Sequence, residues 1–167
     1  MAKRFGILVL MLFTVGIVAM TLTTAESANQ SKQKNFVAHL SGEEEVPPVE
    51  TQATGQATFK LLKNGTVRFR LIVANIEDVN QVHIHLGAPG ENGPIVVWLY
   101  PEGPPPELIP GRFNGVLATG IITDADLVGP LEGMTVADLI DEMRSGNTYV
   151  NVHTEANPDG EIRGQIH

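Results

Sequence analysis

Ala53-Thr-Gly-Gln-Ala-Thr-Phe-Lys-Leu-Leu62, followed after Lys63-Asn-Gly65 by Thr66-Val-Arg-Phe-Arg-Leu-Ile-Val-Ala74, decides the fold. Ala57, Phe59 and Leu61 alternate with polar or small neighbours on the first run, and Val67, Phe69 and Leu71 do so on the second. A period of two puts each apolar set on one face of a strand. A two-residue turn at Asn64-Gly65 would set Phe59 opposite Arg70 and Leu61 opposite Arg68, bringing charge to the core face. A three-residue connection sets Phe59 opposite Phe69 and Leu61 opposite Val67. The spacing therefore predicts a hairpin closed by a type I turn, with Gly65 left-handed in a bulge and Arg68 and Arg70 on the outer face.

The same alternation continues outward. In Gln81-Val-His-Ile-His-Leu86, Val82, Ile84 and Leu86 share one face, and His83 and His85 share the other. A loop rich in glycine and proline follows, then the apolar run Ile95 to Tyr100, with Trp98 and Tyr100 together at a core edge. Phe36–Leu40 reads as a first strand and Phe113–Ile122 as a later one, with Pro101–Gly111 a proline-rich loop between strands. Thr148–His153 and Glu161–Ile166 close the chain around the turn Asn157-Pro-Asp-Gly160. The glutamates Glu43, Glu44 and Glu45 read as a solvated loop. One helix is signalled: Thr135 and Asp138 form a capping box, Val136, Leu139, Ile140 and Met143 an apolar stripe, and Gly146 a stop. The sum is an all-β chain, a Greek-key β-sandwich or barrel of about eight strands with one short helical insertion.

Lys3 and Arg4 precede an uncharged apolar stretch from Phe5 to Met20, and Thr23-Thr24-Ala25 offers small residues for cleavage. Residues 1–25 thus read as a secretory signal peptide and 26–35 as a flexible lead-in. The alternative is an apolar anchor retained over Phe5 to Leu22. Cleavage would leave 36–167 as the folded domain, with no membrane span in the mature form and a secreted, periplasmic or cell-surface location. There is no cysteine among the 167 residues, so disulfides, thiolate metal sites and thiol catalysis are excluded. Beyond Arg4 there remain nine basic against nineteen acidic residues, a net charge of −10 that argues against nucleic acid or an anionic membrane as partner.

Three separated stretches carry a family likeness: Glu45-Val-Pro-Pro-Val-Glu-Thr-Gln-Ala-Thr-Gly55, His83-Ile-His-Leu-Gly87 through Gly93-Pro94, and Gly146-Asn-Thr-Tyr-Val-Asn-Val-His-Thr154 through Gly160-Glu-Ile-Arg-Gly-Gln165. Over about residues 36–166 the chain resembles the CHRD (chordin) domain family. The resemblance implies a secreted or surface-located β-sandwich module that binds an extracellular protein or surface component. It supplies no catalytic residues to carry over.

The strands nominate a site of their own. Tyr149, Asn151 and His153 share one face of the penultimate strand, and Glu161, Arg163 and Gln165 one face of the last. Set beside His83 and His85, they would gather three imidazoles, with Glu161 as a weaker fourth ligand. Three imidazoles suit Zn²⁺ or Cu²⁺. The alternative is a structural hydrogen-bond network in which Arg163 pairs with Glu161 or Glu155. His39 and His167 are expected to be exposed. No Gly-x-Ser-x-Gly, phosphate loop or dinucleotide fingerprint occurs, so the chain reads as a non-enzymatic binding module, or alternatively as a copper- or zinc-binding protein.

Overall fold

A computed structural model describes residues 33–167, and Lys34–His167 form one unit. The signal-peptide reading and most of the lead-in lie outside the described residues. Seven strands appear: β1 (Asn35–Ser41), β2 (Thr54–Leu61), β3 (Val67–Leu86), β4 (Ile95–Tyr100), β5 (Ile109–Ile122), β6 (Thr148–Thr154) and β7 (Ile162–Gln165). One α-helix, α1 (Val136–Arg144), stands between β5 and β6.

All pairings are antiparallel. The ladder runs β2-β1-β7-β6-β3-β4, and β2 also pairs with β3, so β1, β2, β3, β6 and β7 close into a barrel. β4 and β5 are added outside the ring, each on β3. β3 can serve so many neighbours because it is long. Its first half lies between β2 and β5, and its second half between β6 and β4.

The opening hairpin has the register that its apolar pattern demands: Phe59 faces Phe69 and Leu61 faces Val67. Gly65 sits at φ +84°, the left-handed conformation expected of it. Arg68 and Arg70 are exposed while Val67, Phe69 and Leu71 are buried.

The strand count differs from the expected eight because two expected strands are one. Between Ala74 and Gln81 the ladder does not stop. Asn75 and Asp78 turn left-handed at φ 57° and 52°, and Ile76 and Val79 return to the core. Each irregularity bends the strand without ending it, as a bulge does. Asn and Asp tolerate that conformation better than other non-glycine residues. β5 likewise begins earlier than expected: Ile109 pairs with Val79, and Pro110 and Gly111 belong to the strand instead of the preceding loop.

The barrel is filled by the inward-facing aliphatics. Val82, Ile84, Val150, Val152 and Ile162 are all fully buried in one cluster. Each such side chain removed from water contributes about 1.5–3 kcal/mol. Helix α1 adds Val136, Leu139, Ile140 and Met143 to the same core. Its Thr135–Asp138 capping box forms, with the Asp138 carboxylate accepting from the Thr135 N–H and hydroxyl. Trp98 and Tyr100 are half-buried at the core edge.

Candidate metal centre

Because β3, β6 and β7 turn their aliphatic residues inward, their polar residues share the opposite face of the sheet. The register sets His83 beside Asn151 and His85 beside Tyr149 across β3–β6, and Asn151 beside Arg163 across β6–β7. A polar outer face is ordinarily solvated, but this one is not. His83, His85, Asn151, His153, Glu161 and Arg163 are all buried. The cover comes from the loops after β1 and β3. Asn92 of the second donates to the Val46 carbonyl of the first at 2.7 Å and accepts from Arg163 at 3.1 Å.

The three histidines converge. One ring nitrogen from each of His83, His85 and His153 lies within 4.8 Å of the others. His83 Nδ1 is 3.2 Å from His153 Nε2. Backbone carbonyls set two of the tautomers. His85 Nδ1–H donates to the Gly93 carbonyl at 2.9 Å, and His153 Nδ1–H to the Pro158 carbonyl at 2.9 Å. A carbonyl can only accept, so the proton stays on Nδ1 and each Nε2 keeps its lone pair. Such a bond on the far nitrogen is the usual support for a metal-ligating histidine. The Nε2 atoms of His83 and His85 are buried with no hydrogen-bond partner. Buried polar atoms are almost always paired, so these two orphans leave lone pairs on the covered face unmet, whereas His153 Nε2 lies within hydrogen-bond reach of His83 Nδ1.

Aromatic packing fixes the rings. Tyr149 stacks on His85 with centroids 4.9 Å apart and planes 10° from parallel. Arg163 lies 3.6 Å from the centre of the Tyr149 ring. Trp98 meets His83 edge-on at 4.2 Å.

Electrostatics keep the imidazoles neutral. Burial, reinforced by the charges of His153 and His85, pushes His83 down to about 3. Burial pushes His85 down to about 4 against the Gly93 hydrogen bond, with His153 and Arg163 adding to the depression. His153 is lowered by burial, against its Pro158 bond and the Asp159 charge. Neutral imidazole is the form that ligates, so at neutral pH protons do not compete for these nitrogens.

Glu161 is adjacent but otherwise engaged. Its two oxygens accept from the Thr51 hydroxyl at 2.7 Å and the Thr154 hydroxyl at 2.8 Å, and it is not among the three converging groups. Arg163 makes no ion pair with Glu161 or Glu155; it donates to Asn92 and to the Ala88 carbonyl instead. His39 and His167 are exposed and away from the cluster.

Sequence reasoning missed Glu45. Glu43 and Glu44 are exposed as expected, but Glu45 is buried, and burial raises its carboxyl to about 7 against the pull of Arg163. Its Oε1 and the Asn151 Oδ1 are both buried without partners. They meet over Gly160, where an added Cβ would press on both side chains. No local signal separates Glu45 from its two neighbours. Its position in the quoted Glu45–Gly55 stretch was the one hint available.

The CHRD domain model matches residues 36–166. The chain belongs to the CHRD domain family. It is 30% identical over 136 residues to chordin of Xenopus laevis, an alignment covering 77% of this chain and 12% of that relative. This CHRD domain thus spans a small part of the protein it resembles. No solved structure matches it.

Proposed function

We propose that this CHRD domain is a non-catalytic binding module of the extracellular space or cell envelope, built around one Zn²⁺ or Cu²⁺ ion held by His83, His85 and His153. The observation that carries the metal reading is the convergence of three neutral imidazole nitrogens within 4.8 Å, two of them on rings whose other nitrogen is already bonded to a carbonyl. That donor set suits the borderline ions, which take imidazole readily, over Ca²⁺ or Mg²⁺, which take oxygen.

Family membership and the apolar leader support a role outside the cytoplasm. Among the described residues no helix is long and apolar enough to cross a membrane. A binding role is favoured over catalysis because the histidine face is covered by two loops that leave the ligands buried. A bound ion would tie β3 to β6 and stabilise the covered face, which presents the loops in a fixed form.

Calorimetric titration of the purified protein tests this. The expected result is one Zn²⁺ or Cu²⁺ per chain, with His153→Ala weakening binding by at least about a hundredfold. Trp98 is the single tryptophan and abuts His83, so its fluorescence reports Cu²⁺ arrival independently. No binding of either ion below about millimolar removes the proposal.

A further inference from the structure

The net charge hides an uneven distribution. Four of the nine basic residues beyond Arg4, namely Lys60, Lys63, Arg68 and Arg70, lie on the β2–β3 hairpin, and no Asp or Glu occurs between Glu50 and Glu77. All four are exposed. Lys60 and Arg68 are direct cross-strand partners, and Arg70 follows two positions along the same face. Among the described residues none of the four takes part in an ion pair; the two ion pairs present are Arg112–Glu77 and Arg144–Asp141. Asp124 and Asp126, which follow the end of β5, are engaged by Val136 and Thr123. Like charges directly opposite one another on a sheet destabilise it, so this pair costs the fold and gives nothing back within it.

We infer that the outer face of β2, β3 and β5 is a docking surface for an acidic polysaccharide bearing carboxylate or sulfate groups. Charge complementarity supplies the attraction, and Arg68 and Arg70 can each engage an oxyanion through two N–H donors. Neutral hydrogen-bonding groups alternate with the cations: Thr58 sits beside Arg70 on β2, and Thr119 on its other side on β5. Hydroxyls between cations match a ligand that carries hydroxyls between anions. The cations stand on open strands beside two hollows, one lined by Gln56 and Ile72 and the other by Thr119, Ile121, Glu102 and Asp126, and an extended chain can lie across the strands there. Its exposed aliphatics are Ile121 beside Arg68 and the cross-strand pair Ile72 and Val116 beyond Arg70, three side chains with no aromatic among them. That makes poor provision for insertion into a bilayer. Beyond a Debye length of about 8 Å at physiological salt the acidic remainder of the molecule is screened, so the patch acts on its own.

The test measures binding of the purified protein to dextran sulfate and polygalacturonate, with neutral dextran, duplex DNA and phosphatidylglycerol vesicles alongside. The expected result is retention by at least one of the two acidic polysaccharides, weakening steeply as salt rises. The variant Lys60→Gln/Arg68→Gln/Arg70→Gln should bind at least about tenfold less tightly, with a Tm equal to or above that of the parent. Arg112→Gln, whose cation lies on the same β5 but is paired with Glu77, should bind as the parent does. The inference is overturned if neither acidic polysaccharide is retained or if the triple variant binds unchanged. It is equally overturned if DNA or vesicles are captured as well as or better than the polysaccharides. None of these outcomes depends on whether the histidine site holds metal.

Discussion

The two halves of β3 obey one pattern and meet opposite fates. Val67 to Leu71 and Val82 to His85 both alternate apolar with polar residues, and both turn their apolar members into the barrel. In the first half the outward residues, Arg68 and Arg70, stand in water. In the second they are His83 and His85, buried to within 8% of full exclusion. The strand itself does not create that difference. It comes from the loops after β1 and β3, which close over the second half through Asn92, Val46 and Arg163. A polar face costs little in solvent, but once covered every group on it must be paired, neutralised or given a ligand. The covered face meets part of that demand with carbonyl bonds, aromatic stacks and depressed histidine pKa values, and leaves the Nε2 atoms of His83 and His85 without partners. The exposed face tolerates a like-charge pair.

The largest expected effect separates the halves by an arginine on each. Arg163→Ala removes a buried cation from Tyr149, Asn92 and Ala88, and should cost about 2–4 kcal/mol in urea unfolding. Arg68→Ala on the exposed half should change stability by about 0.5 kcal/mol or less. Equal costs would mean that the loops do not seal the histidine face as described.

Acidification gives a second, smaller contrast. The folded pKa values of the three histidines lie below the unfolded value of 6.5, so below that pH the unfolded chain takes up protons that the folded chain refuses. Their contribution to stability is complete above 6.5 and is lost as pH falls toward about 4 and about 3. Glu45 acts in the other direction. Its folded value of about 7 exceeds the unfolded 4.5, so its contribution is complete below 4.5 and lost as pH rises to about 7. Three groups outweigh one, and the metal-free protein should lose stability between pH 6.5 and 4.5. Glu45→Gln should steepen that loss in denaturation series across this range. A flat profile, or one that Glu45→Gln leaves untouched, would show that the covered face is wetter than its burial indicates. The smallest effect belongs to the open half: Lys60→Gln should leave stability unchanged or raise it by about 0.2–1 kcal/mol, by relieving repulsion with Arg68.

What could be read in advance follows the same division. Period-two alternation is local, so the hairpin register, the shared face of His83 and His85, and that of Asn151 and His153 were legible in the chain. So was the capping box of α1, which needs only Thr135 and Asp138 three residues apart. The meeting of His153 with the other two depended on β6 pairing with β3, which the common aliphatic core made the simplest arrangement. The continuity of β3 was hidden because Asn75 and Asp78 look like turn residues and here act as bends within a strand. The cover over the site was hidden for a different reason. Thr51 to Glu161 and Asn92 to Arg163 are contacts across 110 and 71 residues, each with a partner in an irregular segment where periodicity carries no signal. Glu45 lies on that cover and meets Asn151 over Gly160, and Glu161 is held by Thr51 of the same loop and by Thr154 at the end of β6.

If His83, His85 and His153 present nitrogen lone pairs to one point, a Zn²⁺ ion placed there has three imidazole neighbours. X-ray absorption at the zinc edge of the Zn²⁺-loaded protein addresses it most directly. The expected shell is three imidazole nitrogens at about 2.0–2.1 Å, falling to two in His153→Ala. A shell made of oxygen, or one unchanged by that substitution, would contradict it.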